Sequence, residues 1–389
     1  MTTNATTKLP EATARARAPG KLILSGEHSV VYGAPAVAIA VKQYTEVWFT
    51  PMHRTRGLRT VFENLATSQF YPVDALRSFK QSLDKRFDQF VRGELPVQKI
   101  LQCPDDLAIY TMTSLLSLVP VPGTSSRLKL PVPGQLGGRS DLPIGAGMGS
   151  SASIIAATSL LYEHVFDRPQ TSEERFKRVR FCERLQHGNG SAIDASAVVY
   201  GGMNRIQQDT LDPIPLDETH PLMSGEGWYW VLTGKPHSTT GECVASVRET
   251  WGHDQALWDA FGTCTDTLVD TLERGLNPVD LIKENHQLLQ RIGVVPERAA
   301  RFIAEIEAMG GAAKVSGAGS IRGDAAGVML VYMPDHEAMM TVMAQHRDFR
   351  WERVQIDMEG AGLSDARASR GGNTALGSKS EPLQLQDKR

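Results

Sequence analysis

The chain has 389 residues with 41 Lys or Arg against 44 Asp or Glu, a formal charge of −3, so it advertises no broad basic face for nucleic acid or an anionic membrane. Its 41% hydrophobic content supplies a sizeable core, which excludes disorder throughout, and its length allows two or three packed units. The four cysteines (Cys103, Cys182, Cys243, Cys264) form no CxxC pair and no zinc-type Cys/His spacing, and read as reduced thiols of a cytoplasmic protein.

In chain order, residues 1–14 lack the apolar core of a signal peptide and read as a disordered tail, and no apolar run approaches the ~20 residues of a membrane helix. Strands are expected at 37–41 and 46–49. Residues 54–130 are the least legible part, with helical segments around 74–92 and 105–118 but no assignable motif. A helix is expected at 151–166, behind a glycine loop, and another at 172–186, where Thr171 and Glu174 form a T-x-x-E capping box. Residues 207–227 carry prolines, acids and glycines without periodicity and mark a lobe boundary. Beyond it come a strand at 228–232, helices at 279–292 and 296–309, a strand at 327–332, and a polar disordered tail at 363–389. The expected class is α+β in two lobes, 15–220 and 221–362.

The 35 glycines cluster: six lie between Gly134 and Gly149, six between Gly310 and Gly327, and smaller groups at Gly20, Gly26 and Gly33 and at Gly188, Gly190, Gly201 and Gly202. Glycine recurs where backbone approaches a ligand closely or adopts positive φ. The segment Gly145-Ala146-Gly147-Met148-Gly149-Ser150-Ser151 opens directly into the expected helix, which aims free N–H groups and the positive dipole end at one point and suits a phosphate. It matches neither GxxxxGK[ST] nor GxGxxG, and a tight turn with an ordinary N-cap is the plain alternative. The paired serines add hydroxyls able to ligate Mg²⁺ or a phosphate oxygen.

Five ionisable positions stand out. Lys21 follows Pro19-Gly20 and begins an apolar strand; Glu27-His28 is a polar pair flanked by apolar residues, costly to bury without partners. A lone histidine there is more often a core residue than a ligand. Glu183 shares a helix face with Phe176 and Val179, so it needs a partner; Arg180 or Arg184 would serve, as would a wet face. Asp194 follows the turn His187-Gly188-Asn189-Gly190, where an Asx turn is the alternative.

Three ordered segments, APGKLILSGEHSVVYG at 18–33, DLPIGAGMGSSAS at 141–153 and KVSGAGS at 314–320, make the chain resemble the GHMP kinases. Two more, ERLQHGNGSAID at 183–194 and TGKPHSTTGECVASVRE at 233–249, are similar to the mevalonate kinases within that family. The resemblance implies an N-terminal lobe like ribosomal protein S5 domain 2, a ferredoxin-like C-terminal lobe, and ATP- and Mg²⁺-dependent phosphorylation of the primary hydroxyl of mevalonate in isoprenoid biosynthesis. It further implies that Lys21 and Asp194 flank that hydroxyl as catalytic residues. Gly145, Ala146, Gly147, Met148, Gly149, Ser150 and Ser151 would wrap the ATP phosphates, Ser151 and Glu183 would hold Mg²⁺, and Glu27 and His28 would line the acceptor pocket. Mevalonate and ATP are the implied partners, without nucleic acid or membrane, in a cytoplasmic enzyme for which a homodimer is an allowed assembly.

The chain departs from the family's pattern at Ser320-Ile321-Arg322-Gly323-Asp324, where a glycine run ending in Cys is common, and at Gly190 and Ala192, where mevalonate kinases commonly have Pro and Gly. Phosphomevalonate, or the acceptor of another GHMP small-molecule kinase, is therefore the alternative substrate. A non-catalytic ligand sensor on the same fold is the alternative of a different class.

Overall fold

Small alternating residues start the first sheet: in β1 (Ala14–Ser25) Ala14, Ala16 and Ala18 face the core, and from Ala18 onward every residue is buried. The computed structural model describes residues 14–52, 55–63, 67–116, 133–208 and 210–364. The strands expected at 37–41 and 46–49 are one strand, β2 (Ala36–Pro51). The antiparallel register jumps from Pro19 opposite Tyr44 to Gly20 opposite Val41, so Lys42 and Gln43 have no β1 partner. This bulge interrupts the hydrophobic alternation that would have marked a continuous strand.

The poorly legible stretch holds the hairpin β3 (Gly57–Phe62) and β4 (Thr67–Pro72), then α1 (Val73–Val91) and α2 (Asp106–Leu116). The last two residues of the helix expected at 105–118 lie outside the described residues. β5 (Gly134–Ser140) follows, pairing antiparallel with β2 and parallel with β3. Its glycines make room for neighbours: a Cβ on Gly137 would lie 2.2 Å from the Trp48 indole, and one on Gly138 would lie 2.6 Å from the Phe62 ring. This half of the central glycine cluster is strand packing.

The first lobe continues through α3 (Ser150–Val165), α4 (Ser172–His187), α5 (Ala192–Tyr200), β6 (Met203–Gln207) and β7 (Thr210–Ile214). The capping box of α4 forms as its sequence predicts, with the Glu174 amide donating to Thr171 Oγ1 and the Thr171 amide to Glu174 Oε2. Because β6 and β7 are a hairpin, the aperiodic boundary segment begins inside a strand pair.

Beyond it run α6 (Pro221–Ser224), β8 (Trp228–Leu232), α7 (Thr240–Trp251), α8 (Gln255–Glu273), α9 (Val279–Arg291), α10 (Glu297–Ala308), β9 (Ala312–Val315), β10 (Val328–Tyr332), α11 (His336–Met343) and β11 (Arg350–Arg353). These strands form an antiparallel sheet in the order β11-β8-β10-β9, the ferredoxin-like arrangement. The chain then returns. β12 (Gly362–Leu363) pairs with Ala16 and Arg17 of β1, so the start of the expected C-terminal tail belongs to the first sheet. That sheet has eight strands, with β12-β1-β2-β5-β3-β4 in order, β6 paired with β2, and β7 paired with β6.

Residues 1–13 and 365–389 of the expected tails lie outside the described residues. One apolar layer joins the lobes, packing Leu22, Leu24 and Ile39 of the first sheet with Trp228, Trp230 and Leu330 of the second. Among the described residues no helix is long and apolar enough to cross a membrane.

Gly190, in the turn between α4 and α5, has no room for a side chain: a Cβ would lie 2.0 Å from the Arg180 carbonyl oxygen. The same contact accounts for the absence of proline there. Gly190→Ala should lower the unfolding free energy by about 2 kcal/mol or more. Gly241→Ala, in α7 with nothing within 4 Å, should be neutral or stabilising. Urea denaturation midpoints of the two variants check the contrast.

Candidate active site

The turn before α3 alternates glycines with buried anchors. Gly145, Gly147 and Gly149 have φ of +73°, +93° and +74°, conformations that side chains rarely adopt. Between them Ala146 and Met148 are buried, and their carbonyls are used: Ala146 O accepts from Val328 N at 2.8 Å and Met148 O from Lys21 N at 3.0 Å. β1 and β10 thus hold the loop from both lobes. Gly149 is the N-cap of α3, brings no side-chain cap, and is followed by no acid in the first turn. The leading amides of α3 are left for an outside acceptor, with Ser150 and Ser151 half-buried beside them.

Lys21 is 3% exposed and passes under Gly149, where a Cβ would lie 2.9 Å from its Cγ. Its ammonium lies 3.1 Å from Asp194 Oδ1, within ion-pair distance but without hydrogen-bond alignment. Asp194 sits in the first turn of α5, and the cap is made by Ser191, whose Oγ accepts from the Asp194 amide at 3.2 Å. The Asp194 carboxylate is free to face Lys21.

Glu183, fully buried on α4, accepts from Ser151 Oγ at 2.8 Å through Oε1, while its Oε2 has no hydrogen-bond partner. Burial, then the negative charge of Asp194, push its carboxyl up to about 8, against the Ser151 hydrogen bond and the Lys21 charge. Arg184, a candidate partner in the sequence, turns instead to Asp84 and the Tyr110 hydroxyl. His187, one turn along α4 from Glu183, has Nε2 3.4 Å from the same Ser151 hydroxyl. A buried carboxylate oxygen without a donor, beside a hydroxyl and a second carboxylate, fits a hard divalent cation.

Glu27 and His28 occupy a strained turn beside this group. Gly26 has φ +96° and His28 φ +60°. His28 Nε2 donates to Ala318 O at 3.0 Å, leaving a buried Nδ1 without a partner, and burial lowers the ring's pKa to about 4, so it is neutral at physiological pH. Glu27 is 2% exposed; its Oε1 accepts from Lys314 Nζ of β9, and its Oε2 has no partner. Lys314 also donates to Val315 O at 2.8 Å. Burial raises the pKa of Glu27 and lowers that of Lys314, and each partner's charge opposes the other's shift.

Residues 126–202 match the family pattern described as the GHMP kinases N terminal domain. The Archaeoglobus fulgidus mevalonate kinase is 28% identical over 78% of this chain and 88% of its own. Among solved structures, a mevalonate kinase superposes with a TM-score of 0.70 at 18% identity, covering 88% of this chain and 99% of its own. The L. major mevalonate kinase in complex with R-mevalonate superposes with 0.62 at 18% identity, over 89% and 97%. The fold is that of the GHMP kinases.

On this GHMP kinase fold the chain brings together Lys21, Asp194, Ser151, Glu183 and the Gly145–Ser151 loop, and sets Glu27 and His28 at the lobe junction. At the departure Ser320–Asp324, Arg322 pairs with Glu242 at 2.5 Å, and Ser320 Oγ donates to Arg322 O. Two residues had no assigned role in the sequence reading. Lys314 carried a signal, as a lysine among Ala312, Ala313 and Val315 in a wholly buried strand. His187 carried only its spacing from Glu183.

Lys314→Met leaves Glu27 buried without a counter-charge and should cost about 3–5 kcal/mol. Adding Glu27→Gln should recover much of that loss; equal destabilisation of the single and double variants in chemical denaturation would contradict the coupling.

Proposed function

We propose that this protein transfers the γ-phosphoryl group of ATP to the primary hydroxyl of mevalonate, giving 5-phosphomevalonate and ADP in isoprenoid biosynthesis. The observation that carries this reading is the Lys21–Asp194 contact of 3.1 Å, held directly beneath the glycine loop at the start of α3. The relatives named as mevalonate kinases, and the R-mevalonate bound to one structural neighbour, support mevalonate as acceptor.

Phosphoryl transfer asks a protein for positioning and charge neutralisation more than for covalent chemistry. The free amides at the start of α3 cradle phosphate oxygens, with Ser150 beside them. Asp194 takes the proton of the attacking hydroxyl, and Lys21, 3.1 Å from that carboxylate, offsets the charge that develops on the oxygen. Ser151 and Glu183 would hold Mg²⁺, which supplies charge neutralisation on the phosphates when bound. His28, neutral and fixed through Nε2, presents Nδ1 as a hydrogen-bond acceptor for a hydroxyl of the acceptor molecule.

A coupled ADP-release assay across mevalonate, phosphomevalonate and sugar acceptors tests the reading. Fastest turnover on mevalonate is expected; preference for phosphomevalonate would transfer the assignment, and ATP binding without turnover on any acceptor would identify a sensor. Asp194→Asn should cut turnover at least about 100-fold while leaving the ATP dissociation constant nearly unchanged in calorimetry. Near-normal turnover in that variant would remove Asp194 from the chemistry.

A further inference from the structure

We propose that His187 is a third protein ligand of the metal site, giving it one imidazole nitrogen beside the oxygens of Ser151 and Glu183 and a preference for Mn²⁺ or Co²⁺ over Mg²⁺. The inference rests on the phosphotransfer reading and deepens it.

Glu183 and His187 are four residues apart on α4, so both project from one face a turn apart. The Ser151 hydroxyl stands between them, 2.8 Å from Glu183 Oε1 and 3.4 Å from His187 Nε2. Its one proton goes to Glu183, and 3.4 Å is long for a bond donated by the ring. Among the described residues the imidazole has no other hydrogen-bond partner, so nothing ties up its Nε2 lone pair. Glu183 Oε2, on the other side of that hydroxyl, is buried and has no hydrogen-bond partner.

Three donors from one side, one nitrogen and two oxygens, leave the remaining positions of a six-coordinate ion to phosphate oxygens and water. Imidazole adds little for Mg²⁺, whereas first-row transition ions gain from it. The consequence is a selectivity carried by one side chain that does not touch the acceptor.

The test uses the full chain with Mn²⁺ and inorganic pyrophosphate, a probe that supplies phosphate oxygens and no nitrogen. Electron spin-echo modulation of the bound Mn²⁺ should show directly coordinated ¹⁴N, and the pattern should change to that of ¹⁵N when the protein is grown with ¹⁵N-histidine. This arm needs no variant and so no assumption about folding. His187→Gln should abolish the modulation and weaken Mn²⁺ binding about tenfold, with Mg²⁺ competition changed less than about twofold. Bound Mn²⁺ without nitrogen modulation, or modulation unaffected by labelling, overturns the role of His187 while leaving the phosphotransfer reading intact. Failure of Mn²⁺ and pyrophosphate to bind at all overturns both.

Discussion

Lys21 reaches Asp194 because nothing stands on the Cα of Gly149. A side chain there would collide with the lysine stem, so the site depends on one absent Cβ at the point where a strand, a loop and a helix start converge. The same crossing fixes the loop, since the Lys21 amide holds Met148 O from below while Val328 holds Ala146 O from the other lobe. Backbone from three elements therefore sets the distance between the cation and the leading amides of α3, and the side chains need only small adjustments.

Electrostatically the site is short of positive charge. Glu183 and Asp194 face a single ammonium, and the buried carboxyl is driven toward its protonated form. Burying a carboxylate oxygen with no donor is expensive in a folded protein, and a cation brought in with the phosphates removes that cost. On the phosphotransfer reading, a chain of formal charge −3 would hold a highly anionic nucleotide through backbone amides, one lysine and a metal, without a basic surface.

The helices with clear 3.6-residue periodicity and the capping box at Thr171 were legible in the sequence, as was the pairing of a glycine loop with a helix start. Lys21 and Asp194 are 173 positions apart, and no local pattern announces their meeting; the family resemblance supplied it. The hairpin of β3 and β4 was missed because its alternation is short and its neighbour β5 is written in glycine. The glycines of that strand count in the same cluster as the loop Gly145–Ser151, but Gly137 and Gly138 are empty so that Trp48 and Phe62 can lie across them. Glycine density marks close approach; what approaches, a ring or a phosphate, is decided by the partner strand. The buried pair of Glu27 and Lys314 was half visible, because each residue was conspicuous alone while their contact is made by tertiary structure.

The return of β12 to β1 has a mechanical meaning. The second lobe leaves the first through the segment after β7 and comes back through the segment after β11, with Ile356 bridged to Val41 and Lys42 bonded to Gln355. With the apolar layer between the two sheets and the Val328 amide on Ala146 O, these two crossings fasten the second lobe to the first on both sides of the glycine loop, so the spacing between that loop and β10 is set by the whole chain and not by one linker.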